Sequence, residues 1–191
     1  MKLNFGASAL FVVVATLFLG LEAFAARHSG RDLVFKLPVI ANAPNLVEKK
    51  KTDMDMAAPL LLSLKDFQGK LLYVDFWDSY CLPCRDSFPE LNRLRQEFGR
   101  FGFEVVGISV DANPKDALRF VQKLNVEFPI LNDPSGTSAI VNGVEALPTG
   151  FLIGPDGVIL KVMTPFQIKQ IYDILQPVLV SRIPLGLAEE D

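Results

Sequence analysis

The sequence predicts an α/β domain in which a central mixed β-sheet carries helices on both faces. Short, nearly continuous apolar runs at 71–77 and 103–110 are typical of strands buried on both sides, and helical patterns follow each of them. Two more strand-like runs flank the tight-turn sequence Gly154-Pro155-Asp156-Gly157, which predicts an antiparallel hairpin. This alternation of strands and helices is the pattern of α/β packing.

The first strand is predicted from the run LLYVDFW at 71–77, which only Asp75 interrupts. The segment after it carries apolar residues at spacings of three and four, with charged residues between them. This is the pattern of an amphipathic helix, whose core-facing side would be formed by Phe88, Leu91, Leu94 and Phe98.

The second half of the domain continues the alternation. The run at 103–110 predicts a strand, and Asn113 followed by Pro114 predicts a helix start, because asparagine caps helices and proline fits the first helical position. The segment FPILND predicts a short strand. A final helix is predicted at 165–180, and its apolar side includes Ile168, Ile171, Ile174, Leu175 and Val178.

The N-terminal residues 1–25 have the pattern of a secretory signal. Lys2 precedes an apolar stretch, and Ala23-Phe24-Ala25 matches a small-x-small cleavage sequence. We expect cleavage after Ala25, and the alternative is an uncleaved membrane anchor. In either case the rest of the chain would face an exported, oxidising compartment, which in a bacterium is the periplasm.

The remaining boundaries follow from composition. Residues 26–56 mix prolines, asparagines and charges without a sustained period and predict a linker or loosely ordered extension. Residues 57–181 are expected to form the folded domain, and 182–191 a C-terminal tail. The chain has 191 residues and is 50% hydrophobic, which suits one domain with a sizeable core. Its net charge of −3 gives no general attraction to nucleic acid.

The chain has two cysteines, Cys81 and Cys84, and one histidine, His28. A structural zinc site needs about four ligands, so we predict no metal site. A bond between the two cysteines would close a very small loop and would contribute little as a cross-link. A working redox pair is therefore the favoured interpretation, and this pair needs no bound cofactor.

The order strand, cysteines, helix places Cys81 at a helix N-terminus. Unpaired backbone N–H groups and the helix dipole favour a thiolate there, so Cys81 is the predicted nucleophile. Cys84 lies one turn further into the helix, should be more buried and is the predicted resolving thiol. Pro83 fits between them because the first turn of a helix has N–H groups to spare.

The stretch VDFWDSYCLPC, with Pro89 five residues after Cys84, resembles the thioredoxin superfamily. The wider run from LSLKDFQGK to NGVEALPTGFLIGPDGVI is similar to its exported bacterial branch, the TlpA/ResA-like thiol:disulfide oxidoreductases. The resemblance implies a thioredoxin-like fold over about 57–180. It also implies that Cys81 is the nucleophile and Cys84 the resolving cysteine.

The same resemblance implies roles for Pro148 and Asp75, which lie outside the cysteine motif. Pro148 would be a cis-proline facing the cysteines, and the backbone of Leu147 would then pair with an extended client segment. Asp75 would be a buried acid that exchanges a proton with Cys84, with a hydrogen-bonded structural carboxylate as the alternative. Trp77 is expected to pack in the core or in the wall of the site.

Three positions depart from the pattern of these relatives. Tyr80 stands directly before Cys81, where many relatives have tryptophan. Gly107 stands where thioredoxin places a lysine close to its buried acid. Gly150 replaces a threonine, and we expect this change to loosen the strand after Pro148.

Thiol–disulfide exchange is reversible, so its direction depends on the reduction potential of the pair. Leu82-Pro83 lacks the histidine of strongly oxidising relatives, which favours a reductase. The resemblance implies cysteine-containing client proteins, cytochrome c maturation as one family role, and a membrane electron donor of the DsbD/CcdA kind. The alternatives are a non-enzymatic binding module and a peroxiredoxin. The latter is disfavoured because its Pro-x-x-x-Thr-x-x-Cys sequence is replaced by Val74 and Asp78 before Cys81.

Overall fold

The computed structural model describes residues 32–43, 59–163 and 170–180, with side chains up to residue 177 of the last range. The strands in these ranges are β1 (Lys36–Ala41), β2 (Leu61–Ser63), β3 (Leu71–Trp77), β4 (Phe103–Ser109), β5 (Ile130–Asn132), β6 (Thr149–Ile153) and β7 (Ile159–Met163). The helices are α1 (Leu82–Phe98), α2 (Pro114–Lys123), α3 (Thr137–Val141) and α4 (Gln170–Val180). Short 3-10 turns occupy Leu64–Phe67 and Gly99–Phe101.

The strands form one mixed sheet in the order β2-β1-β5-β4-β3-β6-β7. Strands β3, β4 and β5 are parallel neighbours. On one side of them β6 pairs antiparallel with β3 and forms an antiparallel hairpin with β7. On the other side β1 pairs antiparallel with β5, and β2 pairs antiparallel with β1. The predicted mixed sheet and the predicted hairpin are therefore confirmed.

Two apolar cores lie on opposite faces of the sheet, because successive side chains of a strand point to opposite faces. On β3, Tyr73 and Trp77 face a core that α1, α2 and α4 cover. Val74 and Phe76 face a second core, which is closed by α3, the first 3-10 turn and the chain before β1. Helices thus cover both faces, as the sequence predicts.

Local signals correctly placed several elements. The predicted apolar side of α1 is buried from Phe88 to Phe98. Asn113 caps α2 by accepting a hydrogen bond from the backbone N–H of Lys115 at 3.2 Å. In α4, Ile171 and Leu175 are fully buried. The predicted start of that helix at 165 lies outside the described residues, as do the signal sequence and the C-terminal tail.

The prediction of a linker at 26–56 is wrong for residues 32–43. Strand β1 lies inside the sheet between β2 and β5, and Leu33, Phe35 and Ala43 are buried around it. The folded domain therefore begins before residue 57. The sequence did not predict this strand for two reasons. All but one of its residues are partly buried, so buried and exposed positions do not alternate clearly, and Pro38 interrupts it. Its place depends on pairing with residues far along the chain, such as Val39 with Leu131.

Candidate active site

The two cysteines and Pro148 lie at one edge of the sheet. Strand β3 ends at Trp77, and a four-residue turn leads to Leu82, where α1 begins. Strand β6 runs antiparallel to β3, and Thr149 pairs with Phe76. Pro148, which directly precedes Thr149, is therefore beside the end of β3. The Leu147–Pro148 peptide bond is cis, as the resemblance implies.

Cys81 and Cys84 form a disulfide across the first turn of α1, with a Cα–Cα distance of 5.3 Å. Cys81 is the N-cap residue of the helix, and its Sγ accepts a hydrogen bond from the backbone N–H of Cys84 at 3.2 Å. Cys84 is completely buried, whereas Cys81 is partly exposed. The structure thus confirms the predicted placement of both sulfurs, with Cys81 as the one that another molecule can reach.

This placement also supports a thiolate at Cys81 once the disulfide is reduced. The N–H groups of the first helical turn lack carbonyl partners within the helix and point towards the N-cap position. Pro83 lies in that turn, where its missing N–H costs no hydrogen bond. The N–H of Cys84, which already contacts the Cys81 sulfur, is a ready donor to a negative charge there.

The turn before Cys81 is held by Asp111, which the sequence analysis did not single out. Both carboxylate oxygens of Asp111 accept from the backbone N–H of Ser79, at 3.2 and 3.0 Å, and one accepts from the Ser79 hydroxyl at 2.7 Å. The Ser109 hydroxyl donates to the same carboxylate at 2.9 Å. Asp111 therefore ties the end of β4 to the loop that delivers Cys81. The sequence feature that could have indicated this role is an acidic residue close after a buried strand.

Asp75 lies in the middle of β3, between two glycines. It pairs with Gly107 on β4 and with Gly150 on β6, so neither neighbouring strand offers it a side chain. It points to the same face as Tyr73 and Trp77, the face that also holds Cys84. Burial raises the pKa of Asp75 well above its usual value. Its Oδ2 atom has no hydrogen-bond partner among the described residues.

The glycine at position 150 has a packing explanation. A Cβ atom there would lie 1.8 Å from the hydroxyl oxygen of Tyr73, so the tyrosine side chain fills the space that a threonine would need. This filled space argues against the expectation that Gly150 loosens the strand, which stays a prediction. The missing side chain is replaced by a ring from the adjacent strand.

The remaining predicted site residues differ in exposure. Tyr80 is 81% exposed, next to Cys81, whereas Pro148 is buried and Leu147 is partly buried. Trp77 is completely buried and packs against the rings of Phe88 and Phe120, in each case 4.9 Å between centroids. Trp77 therefore supports the site from the core, as expected, and does not reach its surface.

Comparison with known proteins identifies this arrangement. Residues 39–162 match the AhpC/TSA family. The chain belongs to that family. It is 31% identical over 135 residues to the thiol-disulfide oxidoreductase ResA of Bacillus thuringiensis subsp. konkukian, a match that covers 71% of this chain and 75% of that protein. The ResA of Bacillus subtilis is 32% identical over 103 residues, covering 54% and 58% of the two chains.

Solved structures agree with this assignment. A crystal structure provisionally assigned as a thiol:disulfide interchange protein DsbE from Chlorobium tepidum superimposes with a TM-score of 0.65 at 30% identity, covering 79% of this chain and 97% of that one. A secreted disulfide oxidoreductase of Mycobacterium tuberculosis shares the fold, with a TM-score of 0.56 at 21% identity and coverage of 75% and 97%. The chain is thus a TlpA/ResA-like thiol-disulfide oxidoreductase of the thioredoxin superfamily.

The sequence before Cys81 distinguishes this oxidoreductase from a peroxiredoxin. The positions seven and three residues before Cys81 are Val74 and Asp78, which replace the proline and threonine of the peroxiredoxin motif. Within residues 32–43, 59–163 and 170–180, no group of three or more histidine, cysteine or acidic side chains is placed to hold a metal ion.

Asp75→Asn is expected to make this oxidoreductase more stable at neutral pH. Because burial raises the pKa of Asp75, the folded state binds the proton more tightly than the unfolded chain. Stability is therefore lost as the pH rises above the ordinary aspartate pKa of about 3.9 towards the higher pKa of the folded state. An asparagine cannot ionise and avoids this loss.

The measurement is urea unfolding of both proteins from about pH 4 to about pH 8. The difference between the two unfolding free energies isolates Asp75 from the other carboxylates. It should grow in favour of the variant as the pH rises. A difference that stays constant with pH would contradict the raised pKa.

Proposed function

We propose that the chain is an exported oxidoreductase that reduces disulfides in client proteins. The observation that carries the proposal is the pairing of a partly exposed Cys81 at a helix N-cap with a completely buried Cys84 directly behind it. One sulfur is available to attack a client, and the other can be reached only from within the domain. A two-cysteine exchange mechanism requires this difference in accessibility between the attacking and the resolving sulfur.

The reaction begins with the reduced pair. The Cys81 thiolate attacks one sulfur of a client disulfide, and the other client sulfur leaves as a thiolate and takes a proton from solvent. Cys84 then loses its proton and attacks the Cys81 sulfur of the mixed disulfide. The second client thiolate leaves, and the Cys81–Cys84 disulfide remains, which is the state of the structure. The client gains two electrons and the pair loses two.

Asp75 is the proposed acceptor of the Cys84 proton. It is a buried carboxyl, burial raises its pKa well above the usual value, and it lies on the face of β3 that also contacts the core around Cys84. No basic side chain occupies the paired positions on the neighbouring strands, which are Gly107 and Gly150.

Client binding is proposed to use the surface around Cys81. Tyr80 and Leu82 flank the cysteine and are 81% and 71% exposed, so they offer apolar contact to a bound chain. The backbone of Leu147, next to the cis-proline, is proposed to pair with an extended client segment in the manner of an added strand. These contacts would hold the client disulfide over Cys81.

The reductive direction is supported by the residues between the cysteines. Leu82 and Pro83 carry no positive charge that would stabilise the Cys81 thiolate further, and a less stable thiolate makes the pair a stronger reductant. The clients are proposed to be cysteine-containing proteins, with cytochrome c maturation as one candidate pathway. In an oxidising compartment the pair needs a membrane electron donor, which we propose to be of the DsbD/CcdA kind.

Export is supported by the signal pattern of residues 1–25, and we propose the bacterial periplasm as the compartment. The domain would be soluble after cleavage near Ala25 or tethered through an uncleaved N-terminus. Within the described ranges, no helix combines the length and apolar character that crossing a bilayer requires.

The reduction potential of the Cys81–Cys84 couple tests the direction. We expect equilibration with a thiol redox buffer to give a potential close to the thioredoxin value of about −270 mV. A potential near the DsbA value of about −120 mV would contradict the reductase proposal and indicate an oxidant. Pro83→His is the matched control: an imidazolium beside Cys81 stabilises the thiolate, so this variant should have a more oxidising potential than the parent.

A further inference from the structure

Three polar side chains follow one another on the α1-facing side of β3. Tyr73, Asp75 and Trp77 occupy alternate positions of the strand, and all are at least 98% buried. We call them the β3 polar row. Its outer members each carry a hydrogen-bond donor, the phenolic O–H and the indole N–H, and its central member is an acceptor when ionised.

Glycines on both sides make room for this row. The position paired with Asp75 on β6 is Gly150, where a Cβ atom would lie 1.8 Å from the Tyr73 hydroxyl oxygen. The position paired with Asp75 on β4 is Gly107, where a Cβ atom would lie 3.0 Å from the Trp77 Nε1 atom. The two donors therefore occupy the space over the residues on either side of the carboxyl. A larger side chain at either position would displace one of them.

The electrostatics of the row connect Tyr73 to Asp75. Burial, and secondarily the negative charge of Asp75, raise the pKa of Tyr73 well above its usual value. The Tyr73 hydroxyl therefore stays protonated at neutral pH and is available as a donor. Burial raises the pKa of Asp75.

The surroundings of Asp75 contain no competing charge among the described residues. Its own strand presents Tyr73 and Trp77, β4 and β6 present Gly107 and Gly150, and α1 presents Cys84 to the same core. The Asp75 Oδ2 and Trp77 Nε1 atoms both lack a hydrogen-bond partner among those residues. A buried carboxylate without a cation needs a neutral donor to ionise at all.

We propose that Tyr73 is a positioning residue for the resolving step, in which its hydroxyl donates a hydrogen bond to the ionised Asp75 carboxylate that accepts the Cys84 proton. The proposal rests on the proposed role of Asp75 and adds the group that makes its ionised form accessible. In this step the Cys84 S–H bond breaks, its proton goes to Asp75, and the thiolate electron pair forms the bond to the Cys81 sulfur. The client thiolate departs with the electron pair of the broken mixed disulfide.

The test is Tyr73→Phe, which removes only the hydroxyl and leaves the ring over Gly150. The measurement is the rate of the resolving step as a function of pH, followed in a single turnover from a preformed mixed disulfide on Cys81. The loss of a charge-assisted hydrogen bond should lower the ratio of ionised to protonated Asp75 about tenfold at a fixed pH. The limb of the pH profile that reports Asp75 should therefore move to higher pH.

Tyr172→Phe is the matched control. Its hydroxyl donates to Glu97 at 2.6 Å on the outside of the domain, so the same chemical change should leave the pH profile in place. Carboxyl ¹³C NMR of the oxidised protein gives a second readout that does not depend on turnover. In the Tyr73→Phe variant, the Asp75 resonance should titrate at higher pH than in the parent.

Asp75→Asn separates the two proposals. If this variant keeps the pH-dependent limb, the proposed role of Asp75 fails. If the limb disappears in Asp75→Asn but stays in place in Tyr73→Phe, the role of Asp75 stands and that of Tyr73 is overturned. The double variant should have the same profile as Asp75→Asn alone. A further shift in the double variant would show that Tyr73 acts through another group and would also overturn the proposal.

Discussion

Cys81→Ser is expected to abolish disulfide reductase activity, lowering the rate by roughly three orders of magnitude or more. A serine hydroxyl stays protonated at neutral pH and does not attack disulfides, and Cys84 cannot replace it because it is completely buried. The assay is reduction of a protein disulfide such as that of insulin, with dithiothreitol as the electron source. The fold should be retained, since the pair closes only a small loop.

Cys84→Ser is the matched variant, because it makes the same atomic change on the other sulfur. It keeps the attacking thiol but removes the resolving one, so mixed disulfides with cysteine-containing clients should accumulate and survive non-reducing electrophoresis. Cys81→Ser should trap nothing. If Cys81→Ser kept full function in the cell, or if Cys84→Ser captured no client, thiol exchange would not be the function and a binding module would be favoured.

Phe88→Ala is expected to lower the free energy of unfolding by about 3–5 kcal/mol, the usual range for a large buried aromatic residue. Phe88 is completely buried, and its ring contacts those of Trp77, Phe120 and Phe128, with centroids 4.9, 5.4 and 5.3 Å away. Truncation removes all three edge-on contacts and leaves a cavity between α1 and the sheet. That loss is a large share of the roughly 5–15 kcal/mol available to a typical domain.

Urea unfolding at one pH measures this effect. Ile140→Ala on α3 is the control, because Ile140 is 74% exposed and its truncation should change stability by no more than about 0.5 kcal/mol. A destabilisation of Phe88→Ala as small as that of the control would show that the aromatic cluster is not tightly packed. Phe88 is not one of the reacting groups, although it shares α1 with Cys84. The variant should therefore reduce activity through loss of folded protein rather than through the chemistry of the sulfurs.

Local patterns predicted much of the fold because their signals lie within a few residues. Three such signals depend only on residues that are close in sequence. They are the apolar run of β3, the spacing of apolar residues in α1 and the Asn113-Pro114 helix start. The same holds for the cysteine motif, whose strand–turn–helix setting can be recognised without knowing what packs against it. The cis geometry of Pro148 was different, since only the family resemblance implied it.

Non-local pairing explains the errors. Strand β1 is a strand because β2 and β5 lie on either side of it, and its own sequence, broken by Pro38, has no clear alternation. Asp111 and Ser79 are well separated along the chain, and only the parallel packing of β3 beside β4 brings the end of one strand to the turn after the other. Neither the pairing of β1 nor the contact between Asp111 and Ser79 can be predicted from a short stretch of sequence.

The sequence by itself determined the reacting groups and their order, because Cys81 and Cys84 stand between a buried strand and an amphipathic helix, and helix geometry alone sets them one turn apart. Only the tertiary structure decided the environment of Asp75. The residues beside it, Gly107 and Gly150, come from two other strands, and the Tyr73 ring fills the space that one of them leaves. The pKa of a buried carboxyl depends on what surrounds it in space, and that is decided when the strands assemble.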